Sequence, residues 1–287
     1  MFGINKVINP LKQMKTMKKY IFMAVAGMLA LSSCSNDDNE QTTQNAPRLM
    51  TFTAGYSDGA TTRATLDGST KKVTFDAADA ISIFSANNTN TKFVTDLGGA
   101  EATFTGTAVD DTKFYAIYPS FPSGIYTLTL SGDVISGIVI PSNQSNAVYD
   151  GWDKEAPIAY ATTTGSSLTF HNACALLKIV NDWEDDVDIS VKAFPMDEIA
   201  LTGTFDLDTN TGALTATMGN NEVCADDVPK GKTIYLAVAP FTTTGRFMAQ
   251  GIDNSYNTHR KMKNDGVTLE AGKIYDLGKV SEWPALE

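Results

Sequence analysis

The sequence is poor in the residues on which enzymes depend. Its 287 residues include only two histidines, His171 and His259, and neither belongs to a catalytic motif. The short motifs of a nucleophilic serine elbow, a zinc protease, a redox dithiol and a phosphate-binding loop are all missing. His171 follows the apolar Phe170, which favours a structural role. We therefore predict that the chain is not an enzyme and uses no cofactor.

Metal ligands are scarce in the same way. One segment, Asp206–Gly212, matches the first half of a calcium-binding loop. The position that needs a bidentate acid is occupied by Thr217. Asp, Asn and Gly are also the residues of a hairpin turn, and we expect a turn between Phe205 and Leu214. No metal site is predicted.

Long apolar runs are missing too. Tyr20–Leu31 is apolar over only 12 residues, which is too short to span a bilayer as a helix. It follows Met17-Lys18-Lys19 and precedes Ser32-Ser33-Cys34, the pattern of a signal peptide covering residues 1–33. Leu31–Cys34 also resembles the bacterial lipobox, which predicts lipidation of Cys34 and membrane anchoring. Met17 is an alternative start codon.

Basic side chains are few once the signal peptide is removed. Residues 1–33 contain five lysines and no acid, so the mature chain has 17 basic and 33 acidic residues and a formal charge of −16. Such a surface repels nucleic acid, so we predict no nucleic-acid partner.

The three cysteines leave few options for a disulfide. With Cys34 assigned to lipidation, only Cys174, in the apolar run Ala173–Val180, and Cys224, in a polar segment predicted as a loop, remain. A disulfide between them is chemically allowed in an oxidising compartment. A buried thiol at Cys174 is the favoured interpretation.

The remaining pattern predicts an all-β protein. Residues 34–47 are polar and read as a flexible tether. Beyond them, short alternating or apolar runs are separated by turn residues, and no long stretch has the period of a helix. A polar segment at 162–167 suggests a boundary, so we predict antiparallel β-sandwich domains at 48–164 and 165–287.

A strand and an arginine stand at the start of the first predicted domain. The strand consists of Leu49, Met50, Thr51, Phe52, Thr53 and Ala54, in which apolar and polar side chains alternate. A polar segment containing Arg63 follows. At the other end of the chain, Ile274–Glu282 reads as a last strand that includes Tyr275, Leu277 and Val280 and ends before Trp283-Pro284.

Several patches resemble the fimbrillins of the Bacteroides group, the lipoprotein precursors of type V pili. In chain order these patches are Thr62–Gly68, Asp79–Phe84, Phe114–Pro119, Leu168–Asn172 with Ala175–Leu177, and Leu269–Tyr275. The resemblance runs from Cys34 to Glu287, although it is specific only in these patches.

The resemblance implies a structure and a mode of assembly. It implies two transthyretin-like sandwiches, lipid anchoring at the outer membrane and incorporation into a fimbrium. An arginine-specific protease would cut the Arg63-Ala64 bond, and the strand Leu49–Ala54 would leave. The terminal strand of another pilus subunit, identical or different, would fill the resulting groove.

Alternatives stay open at both ends of the chain. Cleavage after Arg48 would remove only the tether, and Ile274–Glu282 also reads simply as the last strand of the second domain. The alternative function is a surface lipoprotein that does not polymerise and binds a glycan or a host protein. Tyr149, Trp152 and Tyr160 would then be candidates for a sugar platform, although core packing also explains them.

Overall fold

The computed structural model describes residues 46–57, 65–66, 73–146, 151–195 and 199–285. Their regular structure consists of β-strands and one short 3₁₀ turn, Val280–Glu282. The strands are β1 (Arg48–Tyr56), β2 (Thr65–Leu66), β3 (Val73–Thr74), β4 (Ala80–Ser85), β5 (Asn88–Thr95), β6 (Glu101–Ala108), β7 (Phe114–Tyr118), β8 (Thr129–Ser131), β9 (Val134–Ile140), β10 (Gly151–Trp152), β11 (Ala159–Thr163), β12 (Ser167–Asn172), β13 (Ala175–Asn181), β14 (Val187–Ala193), β15 (Thr202–Asp208), β16 (Leu214–Asn220), β17 (Glu222–Val228), β18 (Lys232–Val238), β19 (Phe241–Thr243), β20 (Phe247–Asp253), β21 (Thr258–Lys263), β22 (Val267–Leu269) and β23 (Ile274–Lys279).

The prediction of an all-β protein is confirmed. Side chains of β6 alternate between exposed and buried, as expected of a strand with one face in a core. Side chains of β7 are buried throughout, which matches its continuous apolar sequence. Within the described ranges, no helix has the length and apolarity needed to cross a membrane.

Seven strands close into a barrel. Their order is β1-β12-β11-β7-β4-β5-β6, and β1 completes the ring by pairing with both β12 and β6. All neighbours are antiparallel except β1 and β12, which are parallel. The barrel core is dominated by aromatic rings, including Phe52, Phe75, Phe93, Phe104 and Phe170.

Two further sheets face each other across a second core. Sheet I has the order β10-β18-β13-β23, and sheet II has the order β17-β14-β20-β21. The space between them is filled mainly by aliphatic side chains of β13, β14, β17 and β18. These two sheets form a sandwich, to which β10 contributes from before residue 165.

A third core joins the barrel to sheet I. Sheet III, β16-β15-β9-β8, covers this core with Ile135, Ile138 and Phe205. Ile117 of the barrel and Leu176 of sheet I lie in the same core. Strands β7, β13 and β18 are therefore covered on both faces.

Hydrogen-bonded pairs of strands cross the predicted boundary at residue 165. Strand β12 follows this position but pairs with β1 and β11 of the barrel. Strand β9 precedes it but pairs with β15. The polar segment at 162–167 contains the end of β11, the connection at residues 164–166 and the start of β12. The division into two domains and their likeness to transthyretin stay predictions.

The sequence pattern did not predict six of the strands, β2, β10, β11, β17, β19 and β21, of which β2 has only two residues. Strand β21 carries mostly polar or charged residues, and strand β17 has three acids among its seven residues; each of the two lies at an edge of sheet II. Strands β10 and β19 are too short to show a period of two.

Candidate functional site

Strand β1 occupies a full strand position in the barrel. It is antiparallel to β6 from Arg48, opposite Ala108, to Gly55, opposite Glu101. Its second half is also parallel to β12, and the Thr53 amide donates a hydrogen bond to the Ser166 carbonyl over 2.8 Å. The predicted strand Leu49–Ala54 is thus confirmed as part of a longer strand.

The predicted apolar face of β1 enters the barrel core. Phe52 and Ala54 are buried, Met50 and Tyr56 are partly buried, and all four pack in the barrel core. Leu49 on the opposite face is 74% exposed. This alternation follows directly from the period of two along the strand.

Aromatic contacts fix Phe52 and Tyr56 within this core. The Phe52 ring meets Phe93 and Phe114 edge-on, with centroids 5.4 and 5.2 Å apart. The Tyr56 ring stacks on Phe75 at 5.2 Å. Edge-to-face contacts of this kind each contribute about 0.5–1.5 kcal/mol beyond the burial of area. The site therefore holds β1 through side chains as well as through backbone hydrogen bonds.

The two predicted processing sites differ in their place in the structure. Arg48 begins β1, and its guanidinium lies 2.5 Å from the Asp110 carboxylate. Both side chains are more than half exposed, so this ion pair contributes at most about 1 kcal/mol. Arg63 and Ala64 lie outside the described residues, in the segment between β1 and β2, and Cys34 lies outside them as well.

The predicted donor strand is the edge strand of sheet I. Strand β23 runs parallel to β13, with Tyr275 opposite Leu177. Tyr275 and Leu277 are partly buried against the sandwich core. An ion pair of 2.7 Å between Lys178 and Asp276 also joins the two strands, and the hydrogen bond from Lys178 lowers the pKa of the Asp276 carboxyl.

The predicted end of this last strand is wrong. The strand was expected to run to Glu282, but it ends at Lys279, and Val280 begins a 3₁₀ turn in which it is fully buried. Gly278 has a φ of +83°, a conformation that breaks the extended geometry and suits glycine. The Trp283 indole then donates a hydrogen bond of 3.0 Å to the Leu277 carbonyl, which turns the chain back on itself.

The two cysteines within the described residues are not joined by a disulfide, so the pairing that the sequence allowed is not formed. Cys174 is fully buried, which confirms the interpretation as a buried thiol. Cys224 lies in β17 opposite Ser190, and its assignment to a loop is wrong. Burial, together with the neighbouring acids Asp226 and Glu222, raises the pKa of its thiol.

The segment resembling a calcium loop is the predicted hairpin. Strands β15 and β16 pair antiparallel, and one oxygen of the Asp208 carboxylate accepts hydrogen bonds from the amides of Asn210 and Thr211. Gly212 closes the turn with a φ of +76°. Among the described residues, no group of three or more His, Cys, Asp or Glu is placed to hold a metal ion.

The remaining candidate residues have structural surroundings. His171 is exposed in β12, with its ring 5.8 Å from that of Tyr160. His259 packs against Trp183 at 4.1 Å. Trp152 is buried edge-on against Tyr235 in the third core and cannot present a sugar platform. Tyr149 lies outside the described residues.

The sequence did not predict which strands pair with β1, namely β6 and Ser167–Phe170 of β12. Both strands were expected as strands, but nothing in a linear pattern states which strands become neighbours. A strand's partners are set by tertiary packing, so no local signal could have identified them.

Comparison with known proteins shows what this architecture is similar to. No protein-family model and no curated protein matches the chain. Two solved structures of candidate cell adhesion proteins share its fold. The one from Bacteroides uniformis is 16% identical with a TM-score of 0.52, and the match covers 80% of this chain and 92% of that protein.

The second structure comes from Bacteroides ovatus. It is 14% identical with a TM-score of 0.52, and the match covers 84% of this chain and 96% of that protein. At these identities the likeness concerns the fold alone. The chain therefore has the fold seen in candidate cell adhesion proteins of Bacteroides.

Proposed function

We propose that this chain is an adhesive, fimbrial-type subunit of the bacterial cell surface and a member of the fimbrillins. The patches from Thr62–Gly68 to Leu269–Tyr275 and the fold shared with candidate cell adhesion proteins support this function. Residues 1–33 would be removed on export, Cys34 would be acylated at the outer membrane, and residues 34–47 would form the tether.

The position of β1 is the observation that carries the proposal. A first strand that lies between two other strands, with Phe52 in the core, resembles a plug in a groove. Its departure would expose the backbone edges of β6 and β12 and an aromatic pocket lined by Phe93 and Phe114. Such an edge accepts another strand readily, because its unpaired backbone groups can hydrogen-bond to the incoming strand and the apolar pocket can hold its side chains.

Cleavage after Arg63 would make this departure feasible. While the chain is intact, β1 returns to its place as an intramolecular partner. After a cut by an arginine-specific protease, residues up to Arg63 would be held only by noncovalent contacts, and a donor strand from another subunit could compete for the same place.

Strand β23 is our proposed donor. It lies at an edge of sheet I, so its removal would break pairing with β13 alone. Tyr275 and Leu277 have the two-residue spacing of Phe52 and Ala54, which suits adjacent pockets on one face. Release would also break the hydrogen bonds to the Leu277 carbonyl from Lys261, at 2.9 Å, and from Trp283. These contacts would hold the donor in place until assembly.

Limited proteolysis tests the assembly step. The purified chain is treated with an arginine-specific protease, and the products are examined by N-terminal sequencing, by electrophoresis in SDS without heating, and by electron microscopy. We expect a new N-terminus at Ala64 and oligomers that resist SDS. Arg63→Ala should block both, whereas Arg48→Ala, the matched control, should leave both intact.

Three results would contradict this assembly. The first is oligomers that form equally well with Arg63→Ala. The second is a new N-terminus at Leu49 alone, which would indicate tether removal after Arg48. The third is cleavage before Ala64 without any oligomer, because cleavage would then not lead to strand exchange.

The alternative is a surface lipoprotein that does not polymerise and binds a glycan or a host protein. The extended pairing of β1 with β6 supports it, because the intact chain already has a closed barrel. The third result above would favour this alternative.

A further inference from the structure

A cavity with charged and polar side chains in its lining opens beside the barrel, and no residue of β1 lines it. Its volume is 410 Å³, within the range of small-molecule sites. Its walls come from four segments: residues 78–80 at the start of β4, Asn90 and Lys92 of β5, residues 118–123 after β7, and Lys154 with Glu155 after β10. Residues far apart in sequence thus converge on one space.

Hydrogen bonds hold the central wall of this cavity in place. The Ser120 amide donates to the Ala80 carbonyl over 2.8 Å, and the Phe121 amide donates to the Ser82 hydroxyl over 3.0 Å. The Phe121 carbonyl accepts from the Asn90 side chain, also over 3.0 Å. The cavity is therefore built on the barrel framework.

Two lining residues have backbone conformations that are rare outside glycine. Ala78 has a φ of +70° and Asn90 has a φ of +44°. Residues in such conformations tend to cluster at binding sites, where the surrounding structure maintains the strain. The Asn90 Oδ1 atom is also buried without a hydrogen-bond partner within the described part of the chain.

The charged groups around the cavity balance each other. Two carboxylates, Asp79 and Glu155, face two ammonium groups, Lys92 and Lys154. Lys154 is paired with Asp76 at 2.6 Å, and one Asp79 oxygen accepts from the Tyr118 hydroxyl, also at 2.6 Å. The structure shows no ion pair for Lys92 or Glu155 among the residues it describes, so both remain able to bind a ligand.

Apolar surface continues from this cavity on one side. A second cavity of 180 Å³ shares residues 119–122 and Glu155 with it, and Ile125, Tyr126 and Val139 form its other wall. Pro119 and Pro122 thus present flat apolar surface between the two spaces. A ligand that fills both cavities needs polar groups where it contacts the first cavity and C–H groups where it contacts the second.

We infer that this joint cavity is a binding site for a neutral, hydroxyl-rich saccharide. Sugar hydroxyls both donate and accept, so they can bond the Glu155 carboxylate and the Lys92 ammonium group together. The balanced charge gives an anionic sugar no advantage, and the proline surface suits the apolar face of a sugar ring. The inference rests on the proposed adhesive function but not on strand exchange.

Binding to an immobilised set of neutral, sialylated and sulfated oligosaccharides tests this inference. The purified chain is applied without protease, and affinities for the bound sugars are then measured by isothermal titration calorimetry. We expect neutral saccharides to bind. Lys92→Met and Glu155→Gln should each weaken binding about tenfold, as expected for the loss of a hydrogen bond to a charged group.

Matched controls separate the site from a general loss of charge. Lys263→Met and Glu270→Gln change exposed residues of the second half of the chain and should leave affinity unchanged. The inference is overturned by binding of charged sugars alone, by binding that survives both cavity variants, or by the absence of any neutral ligand. The proteolytic assembly assay, run on the same protein, shows independently whether the proposed strand exchange fails.

Discussion

Replacing Phe52 by alanine measures how firmly β1 is held in the barrel. The ring is 1% exposed and makes edge-on contacts with Phe93 and Phe114, which lie on β5 and β7. Core substitutions of phenylalanine by alanine lower the free energy of unfolding by about 3–5 kcal/mol. Both neighbours belong to hydrogen-bonded strands and cannot easily collapse into the space, so we expect a loss in the upper half of this range.

Equilibrium unfolding in urea, followed by circular dichroism, gives this free energy. Leu49→Ala is the matched control, because Leu49 lies in the same strand but is 74% exposed. Its loss should stay below about 0.5 kcal/mol. The slope of the free energy against urea concentration should not change in either variant, so that the difference reflects stability alone.

The same pair of variants connects stability to the proposed assembly. After cleavage at Arg63, a weaker hold on β1 should let a donor strand enter sooner, so Phe52→Ala should form SDS-resistant oligomers faster than Leu49→Ala. Equal losses of stability in the two variants, or a loss below about 1 kcal/mol for Phe52→Ala, would refute the burial of this strand in the core.

Two further predictions concern buried polar groups. Gln144→Ala should lower the free energy of unfolding by about 2–4 kcal/mol, because two hydrogen bonds in the interior are lost. The buried Gln144 side chain donates to the Ala237 carbonyl and accepts from the Ala237 amide, each over 2.8 Å. Urea unfolding checks this, with the exposed neighbour Asn143→Ala as the control. The pKa of Asp253 lies below its usual 3.8, because the Asn257 side chain and nearby amides bond the carboxylate. Its stabilisation is therefore present above about pH 4 and lost as pH falls through the lowered pKa, so the unfolding midpoints of the original chain and Asp253→Asn should differ most above about pH 5 and approach each other as the pH falls below about 4.

The first strand shows how far a local pattern reaches. The alternation of Met50, Phe52 and Ala54 with polar residues predicts the strand and its buried face, and both are observed. The same pattern does not predict that β6 and β12 are the neighbours of β1, or that β1 and β12 are parallel. Those facts depend on contacts between residues far apart in sequence, such as Ala54 with Ala102 and with Leu168.

The polar edge strands and the cavity show the complementary limit. Strand β21 is a strand because it pairs with β20, although its own sequence is mostly charged. The saccharide cavity draws on segments near residues 79, 90, 120 and 154, none of which has a motif for ligand binding. A binding site assembled from separate loops has no signature in any single stretch of sequence.

By itself, the sequence determined most of the strands, the hairpin at Asp208–Gly212 and the buried thiol at Cys174, because turn chemistry and side-chain period act over a few residues. Only the tertiary structure decided that β1 closes a barrel, that sheet III binds the two halves through a shared core, and that the last strand stops at Lys279. The physical reason is that strand neighbours, layers and chain reversals are chosen by the burial of side chains distant in sequence, which no local pattern encodes.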